Sequence, residues 1–182
     1  MLRRRLAAAL LALAALAGVQ LVTGGPAFAA TRTLYYDSST AQEFVSVVDQ
    51  AASLWNTKVT NVRLVKAAAG QTPNIRVYAD NGWPRTYTTS LGNGRWYMGR
   101  EAVNDGYYKL RIATHEFGHI LGLPDNRTGL CGDLMSGSSA PVSCTNANPS
   151  TAEAAQVQRN FAAGLAAGMV PATGGAEVVY IG

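Results

Sequence analysis

The strongest constraint on this chain is the run His115-Glu116-Phe117-Gly118-His119-Ile120-Leu121-Gly122-Leu123-Pro124-Asp125. Arg111, Ile112 and Ala113 before it, and Ile120 and Leu121 within it, supply helix formers and apolar packing. Residues four apart on a helix share one face, with roughly 5–6 Å between Cβ atoms. His115 and His119 can therefore bind one tetrahedral metal ion, while Glu116 points beside the ion rather than at it. Gly122 stops the helix in a left-handed turn, and Pro124 prevents it from resuming. The chain then doubles back and brings Asp125 to the same point as a third ligand. At average residue usage, the five fixed positions of this pattern coincide by chance on the order of once in 10⁵ chains of this length.

The histidine count sharpens this reading. The 182 residues contain two histidines, and both lie in the run. An all-histidine site is excluded, and none is left to activate a serine or cysteine nucleophile. Structural zinc sites are usually closed and cysteine-rich. Two histidines, one carboxylate and an adjacent free glutamate leave a position open for water, which favours a catalytic ion. A structural metal, or two plain core histidines, is the competing reading.

The formal net charge of +4 is misleading. Arg3, Arg4 and Arg5 precede an apolar run, Leu6 to Val22, that is broken by Gly24, Gly25 and Pro26. Ala27-Phe28-Ala29 completes the pattern of an export leader cleaved after Ala29. Without those three arginines, 12 basic residues face 11 acidic ones, so composition points to no nucleic-acid partner. The expected organisation is a leader over 1–29, one domain over 30–167 and a flexible tail over 168–182. The mature protein is expected to be secreted, extracellular and free of membrane. In an oxidising compartment Cys131 and Cys144, the two cysteines of the chain, are expected to pair. Such a bridge contributes roughly 3 kcal/mol in the chain-entropy model.

Periodicity predicts an α+β domain. Thr33–Tyr36 reads as a strand, and Thr40-Ala41-Gln42-Glu43 as a capping box. The helix it opens buries Phe44, Val47, Val48, Ala51 and Trp55. Alternation marks strands at Val62 and Leu64 and at Ile75, Val77 and Ala79, and Asn93-Gly94 reads as a hairpin turn. A second helix is predicted from about Tyr107 to Leu121. Ser150-Thr151-Ala152-Glu153 caps a third, whose Ala154, Val157, Phe161 and Leu165 share one side. Trp55, Trp83 and Trp96 are read as packing residues.

With Leu134-Met135-Ser136-Gly137, Ser143-Cys144-Thr145-Asn146 and Gly92-Asn93-Gly94-Arg95 added to the long run, the sequence resembles the snapalysin family of small secreted neutral metalloproteases, within the metzincin group. The resemblance covers Thr33 to about Gly168. It implies a small twisted mixed sheet with an active-site helix and a C-terminal helix. It also implies one catalytic zinc on His115, His119 and Asp125, a Met-turn at Met135 under the site, and a family disulfide at Cys131–Cys144. Two departures follow. The family carries a tyrosine two residues after the aspartate ligand, where this chain has Arg127, so that residue's help to the transition state is missing or comes from Arg127 or another side chain. The family also holds calcium through an acidic and a hydroxyl residue before the first histidine. Tyr108 and Leu110 stand there in this chain, so calcium is expected only if Asp105 substitutes by moving the site.

The chemistry expected is hydrolysis of protein or peptide substrates by a monomer, with Glu116 as general base. By resemblance, cleavage falls before an aromatic residue. The loop from Leu130 to Cys144 is expected to form a pocket wall, and the hairpin near Arg95–Met98 to align an extended substrate. The alternatives are an inactive zinc-bearing binding module, favoured by Arg127 and opposed by Glu116, and a zinc aminopeptidase or amide hydrolase.

Overall fold

The computed structural model describes residues 31–162 and 178–181. The expected leader over 1–29, Leu165 and most of the expected tail lie outside the described residues. Six strands and four helices run in the order β1 (Arg32–Thr40), α1 (Val45–Lys58), β2 (Val62–Lys66), β3 (Ile75–Asp80), β4 (Arg85–Ser90), β5 (Asn93–Gly99), α2 (Arg100–Asn104), α3 (Lys109–Ile120), α4 (Thr151–Asn160) and β6 (Val178–Ile181). The strands form one mixed sheet ordered β2-β1-β3-β5-β4-β6. β1, β2, β3 and β5 pair in parallel, and β4 runs antiparallel to both β5 and β6. This is the α+β domain the periodicity predicts.

Alternation along the strands sends Leu34, Leu64, Ile75, Val77, Trp96 and Met98 into the core beneath α1 and α3. The predicted stripe on α1 is buried throughout, and Trp55 Nε1 donates to Thr114 O at 2.9 Å, tying α1 to α3. Val157 and Phe161 are buried at α4, whose Ser150 cap is a full capping box with Glu153. Among the described residues no helix is long and apolar enough to cross a membrane.

Four local expectations are revised. The Thr40-Ala41-Gln42-Glu43 box does not form: Thr40 ends β1 with its hydroxyl on Val77 O at 2.7 Å, and Glu43 pairs with Arg100 at 2.6 Å. A short 3-10 turn, Gln42–Phe44, leads into α1 instead. The β4–β5 hairpin exists, but Ser90 pairs with Asn93, so the chain reverses at Leu91-Gly92 and Asn93-Gly94 already belongs to β5. Gly92 takes φ +81, and its N–H donates to Ile120 O at 2.9 Å, which seats the turn on the end of α3. Arg95–Met98 cannot align a substrate through its backbone, because β5 is paired on both sides, with β3 and β4. Finally, Val178–Ile181, inside the stretch expected to be a flexible tail, is a strand, because its β-branched and aromatic run meets the otherwise open side of β4.

Candidate metal centre

The site is assembled by α3, the reversal after it and the 3-10 turn Leu134–Ser139. α3 is buried from Ala113 to Ile120, so its histidines and Glu116 are presented inside the fold. Gly122 adopts φ +87, and the next turn of chain brings Asp125 back over the helix end. The three predicted ligand residues converge: donor atoms of His115, His119 and Asp125 all lie within 4.8 Å of one another. The Nε2 atoms stand 3.0 Å apart, and Asp125 Oδ1 is 3.3 Å from His115 Nε2 and 3.6 Å from His119 Nε2.

The protonation of these groups follows from their other partners. His115 Nδ1 lies 3.0 Å from Leu134 O and His119 Nδ1 lies 2.8 Å from Leu123 O. A carbonyl can only accept, so both Nδ1 atoms carry a proton and both Nε2 atoms face the centre. Burial opposes a second proton on His115, but Asp125 and Glu116 outweigh it and raise that imidazole. Burial, reinforced by His115, lowers His119 to about 3, which keeps it neutral. Asp125 Oδ1 is buried without a hydrogen-bond partner. Three donor atoms this close need positive charge among them, either a proton on His115 or a metal ion shared by all three. Two imidazole nitrogens and a carboxylate oxygen, each imidazole oriented by a carbonyl behind it, are a donor set suited to zinc. Among the described residues no second group of three or more such donors converges.

Arg127 reaches the same carboxylate from outside. Its Nη2 donates to Asp125 Oδ2 at 3.2 Å and its Nη1 to Ser138 Oγ at 2.8 Å, leaving Oδ1 to face the histidines. Met135 is buried beneath α3, where a Cβ on Gly118 would lie 2.6 Å from its sulfur. Its carbonyl accepts from Asn126 N–H at 2.8 Å, fastening the residue after Asp125 to this turn. Cys131 and Cys144 are bonded, with Cα atoms 5.5 Å apart.

Glu116 is fully buried. Burial, only partly opposed by His115 and by a Thr86 hydrogen bond, pushes its carboxyl up to about 7. Thr86 Oγ1, on β4, donates to Glu116 Oε2 at 2.6 Å, while Oε1 has no hydrogen-bond partner. A pocket with about 380 Å³ of non-atom space, open mouth included, adjoins His115 and Glu116. Trp83, Tyr107, Tyr108 and Ile112 line it, and Leu134, Gly137 and Ser138 supply the expected wall from the disulfide loop. Trp83 and Tyr107 meet edge to face at 5.9 Å, and Tyr107 Oη donates to Ser138 O at 3.2 Å.

Sequence reasoning missed Thr86, Arg111 and Tyr180. Arg111 reads as a helix former, yet it is buried and donates to Cys131 O, Asn146 O and Asp133 O at 3.1, 2.7 and 2.6 Å. Tyr180 stacks on the His119 ring, with centroids 4.2 Å apart and planes 10° from parallel. No local signal marks these three, because each partner lies in a distant segment.

A mixed sheet backed by a helix that carries two histidines and a buried glutamate, with a third donor after a glycine-broken helix end, defines a metzincin-like domain. The chain belongs to the Streptomyces extracellular neutral proteinase (M7) family, which it matches over residues 31–164. It is 40% identical over 136 residues to an extracellular small neutral protease of Streptomyces coelicolor, covering 74% of this chain and 61% of that protein. To the protein of the same name from Streptomyces lividans it is 36% identical over 145 residues, covering 79% and 63%. To that of Streptomyces caespitosus it is 38% identical over 135 residues, covering 74% of this chain and 100% of the relative.

Proposed function

We propose that this chain is a secreted zinc metalloendopeptidase, with His115, His119 and Asp125 as ligands and Glu116 as general base. The observation that carries this reading is the convergence of three potential ligand atoms beside a buried carboxylate with one unpartnered oxygen. The extracellular proteases named among its relatives support the location and the reaction class. Bound there, zinc would supply a Lewis acid for the scissile carbonyl and bring a water's pKa toward ~7.

The chain's own residues do the rest. Leu134 O and Leu123 O hold the two imidazoles in the ligating tautomer, and Arg127 holds the outer oxygen of Asp125. Thr86 fixes Glu116 through Oε2, so Oε1 is the atom that takes the water proton and later passes it to the leaving amine. The aromatic-lined pocket beside His115 and Glu116 would seat the side chain following the cleaved bond, and its walls suit a tyrosine or phenylalanine ring. Met135 would serve as the Met-turn methionine, packing under the ligands through Gly118.

The test is an end-blocked, internally quenched peptide with a single tyrosine, assayed as purified, after chelation and after zinc is restored. Cleavage before the tyrosine that vanishes and returns with zinc supports the reading; cleavage only of peptides with a free amino terminus replaces it with an aminopeptidase. Glu116→Gln should retain zinc and lose at least ~100-fold in kcat, the scale of a general base. A zinc-loaded variant with full activity removes Glu116 from its role.

A further inference from the structure

β4 carries the residue that holds Glu116, and one side of it is covered by a strand from the far end of the chain. Val178–Ile181 runs antiparallel to β4, with Thr88 opposite Val178, Tyr87 opposite Val179, Thr86 opposite Tyr180 and Arg85 opposite Ile181. Side chains alternate between the faces of a sheet, so residues opposite one another share a face. Thr86 points towards α3, where its hydroxyl reaches Glu116. Tyr180 therefore points the same way, and its ring lies flat on His119 at 4.2 Å. The strand thus covers both the backbone edge next to the site and the face of a ligand imidazole.

Without β6, the order of the described strands ends at β4 on one side and β2 on the other. β2 is separated from β4 by β1, β3 and β5, so β4 is the edge an extended peptide would use to lie beside His115, His119 and Glu116. A free edge presents a row of unpaired N–H and C=O groups, and an uncharged β-branched and aromatic segment is well matched to it. Val178-Val179-Tyr180-Ile181 is such a segment.

We propose that Val178–Ile181 is an internal pseudosubstrate, which occupies the β4 edge and caps His119 with Tyr180, so that a substrate peptide has to displace it. This rests on the endopeptidase reading for what is displaced, and on the geometry alone for what occupies the edge. A tethered segment acts at an effective concentration on the order of millimolar. The same sequence as a free peptide should therefore compete only near that concentration.

The experiment compares the full chain, a chain ending at residue 177, and full-length Tyr180→Pro. Gly94 N–H donates to Asn74 O on the β3 side, so Tyr87 and Arg95 bond across the hairpin. Tyr180, opposite Thr86, therefore turns its own N–H to β4, and proline at 180 removes a ladder donor. Hydrogen exchange over residues 85–90 requires no turnover. It should accelerate at least tenfold in both altered proteins, and a synthetic peptide spanning 177–182 should restore protection to the shortened chain. Protection in the full chain should not vary with protein concentration. On a blocked peptide substrate, both altered proteins should show a several-fold lower KM with kcat within twofold, and the synthetic peptide should inhibit competitively. Unchanged exchange in β4 would show that the strand is not docked. Protection that grows with concentration would assign the strand to a second copy of the chain. Lost kcat with unchanged KM would make the strand a structural element. Altered exchange with no cleavage by any form would uphold the docking and overturn the endopeptidase reading instead.

Discussion

Replacing Arg111 by methionine tests the joint between α3 and the loop that completes the site. The guanidinium makes three bonds to backbone carbonyls, and a bond from a charged donor is worth about 1.5–3 kcal/mol. Their sum overstates the loss. Cys131 O keeps the Asn146 side-chain amide at 3.2 Å, and Asp133 O keeps the Ser136 N–H at 3.2 Å. Burial also opposes the charge, drawing the Arg111 guanidinium below its usual range, and methionine removes that penalty while retaining much of the apolar stem. The net loss should be about 3 kcal/mol, which lowers Tm by roughly 10 °C in a domain of this size. Because Asp133 adjoins Leu134, whose carbonyl orients His115, zinc retention against a chelator should weaken as well. Scanning calorimetry and zinc release measure the two effects. A Tm within about 3 °C of the parent, with zinc retention unchanged, would refute the idea that Arg111 anchors this loop.

Three further outcomes follow from single contacts. Thr86→Val removes the hydroxyl that favours the Glu116 carboxylate, so the acid limb of kcat/KM, set by that carboxyl, should move up by about one to two pH units; a pH–rate profile reads this, and an unmoved limb refutes it. Gly122→Ala places a methyl group 2.7 Å from Asn160 Nδ2 and 2.9 Å from Leu91 Cδ1 at φ +87, and should cost about 2–3 kcal/mol in urea denaturation; a loss below about 1 kcal/mol would show that the turn tolerates a side chain. Burial and the Asp49 carboxylate, to which its hydroxyl donates at 3.0 Å, raise the Tyr36 phenol above its ordinary value. The fold therefore prefers the neutral phenol: the stability it contributes is complete below pH ~10 and declines as pH rises further. Tyr36→Phe should remove that alkaline decline, and an identical slope in both proteins would refute it.

The convergence of His115, His119 and Asp125 was legible in the sequence because its geometry is local. Four-residue spacing puts His115 and His119 on one face of any helix, and Gly122 and Pro124 dictate the reversal that delivers Asp125. The buried stripe of α1, the Ser150 cap and the alternation of β2 and β3 were legible for the same reason, since each depends on neighbours within a few residues. The Thr40 box failed where a tertiary bond won: Thr40 reaches Val77 O on the adjoining strand, and Glu43 is drawn to Arg100. The hairpin reversed two residues before Asn93-Gly94 because Gly92 is anchored to the end of α3, a contact no turn propensity contains.

By itself, then, the sequence determined a helix with two aligned imidazoles, a glutamate beside them, a reversal bearing a carboxylate and an alternating core. Tertiary structure alone decided which atoms complete the site. Sheet order placed β4 beside α3, so that Thr86 holds Glu116, and long-range carbonyls from Leu123 and Leu134 chose the histidine tautomers. It also brought Tyr180, 61 positions beyond His119, onto that ring. Backbone periodicity acts over a turn of helix or a pair of strand residues, whereas strand order and register are set by which distant surfaces bury one another.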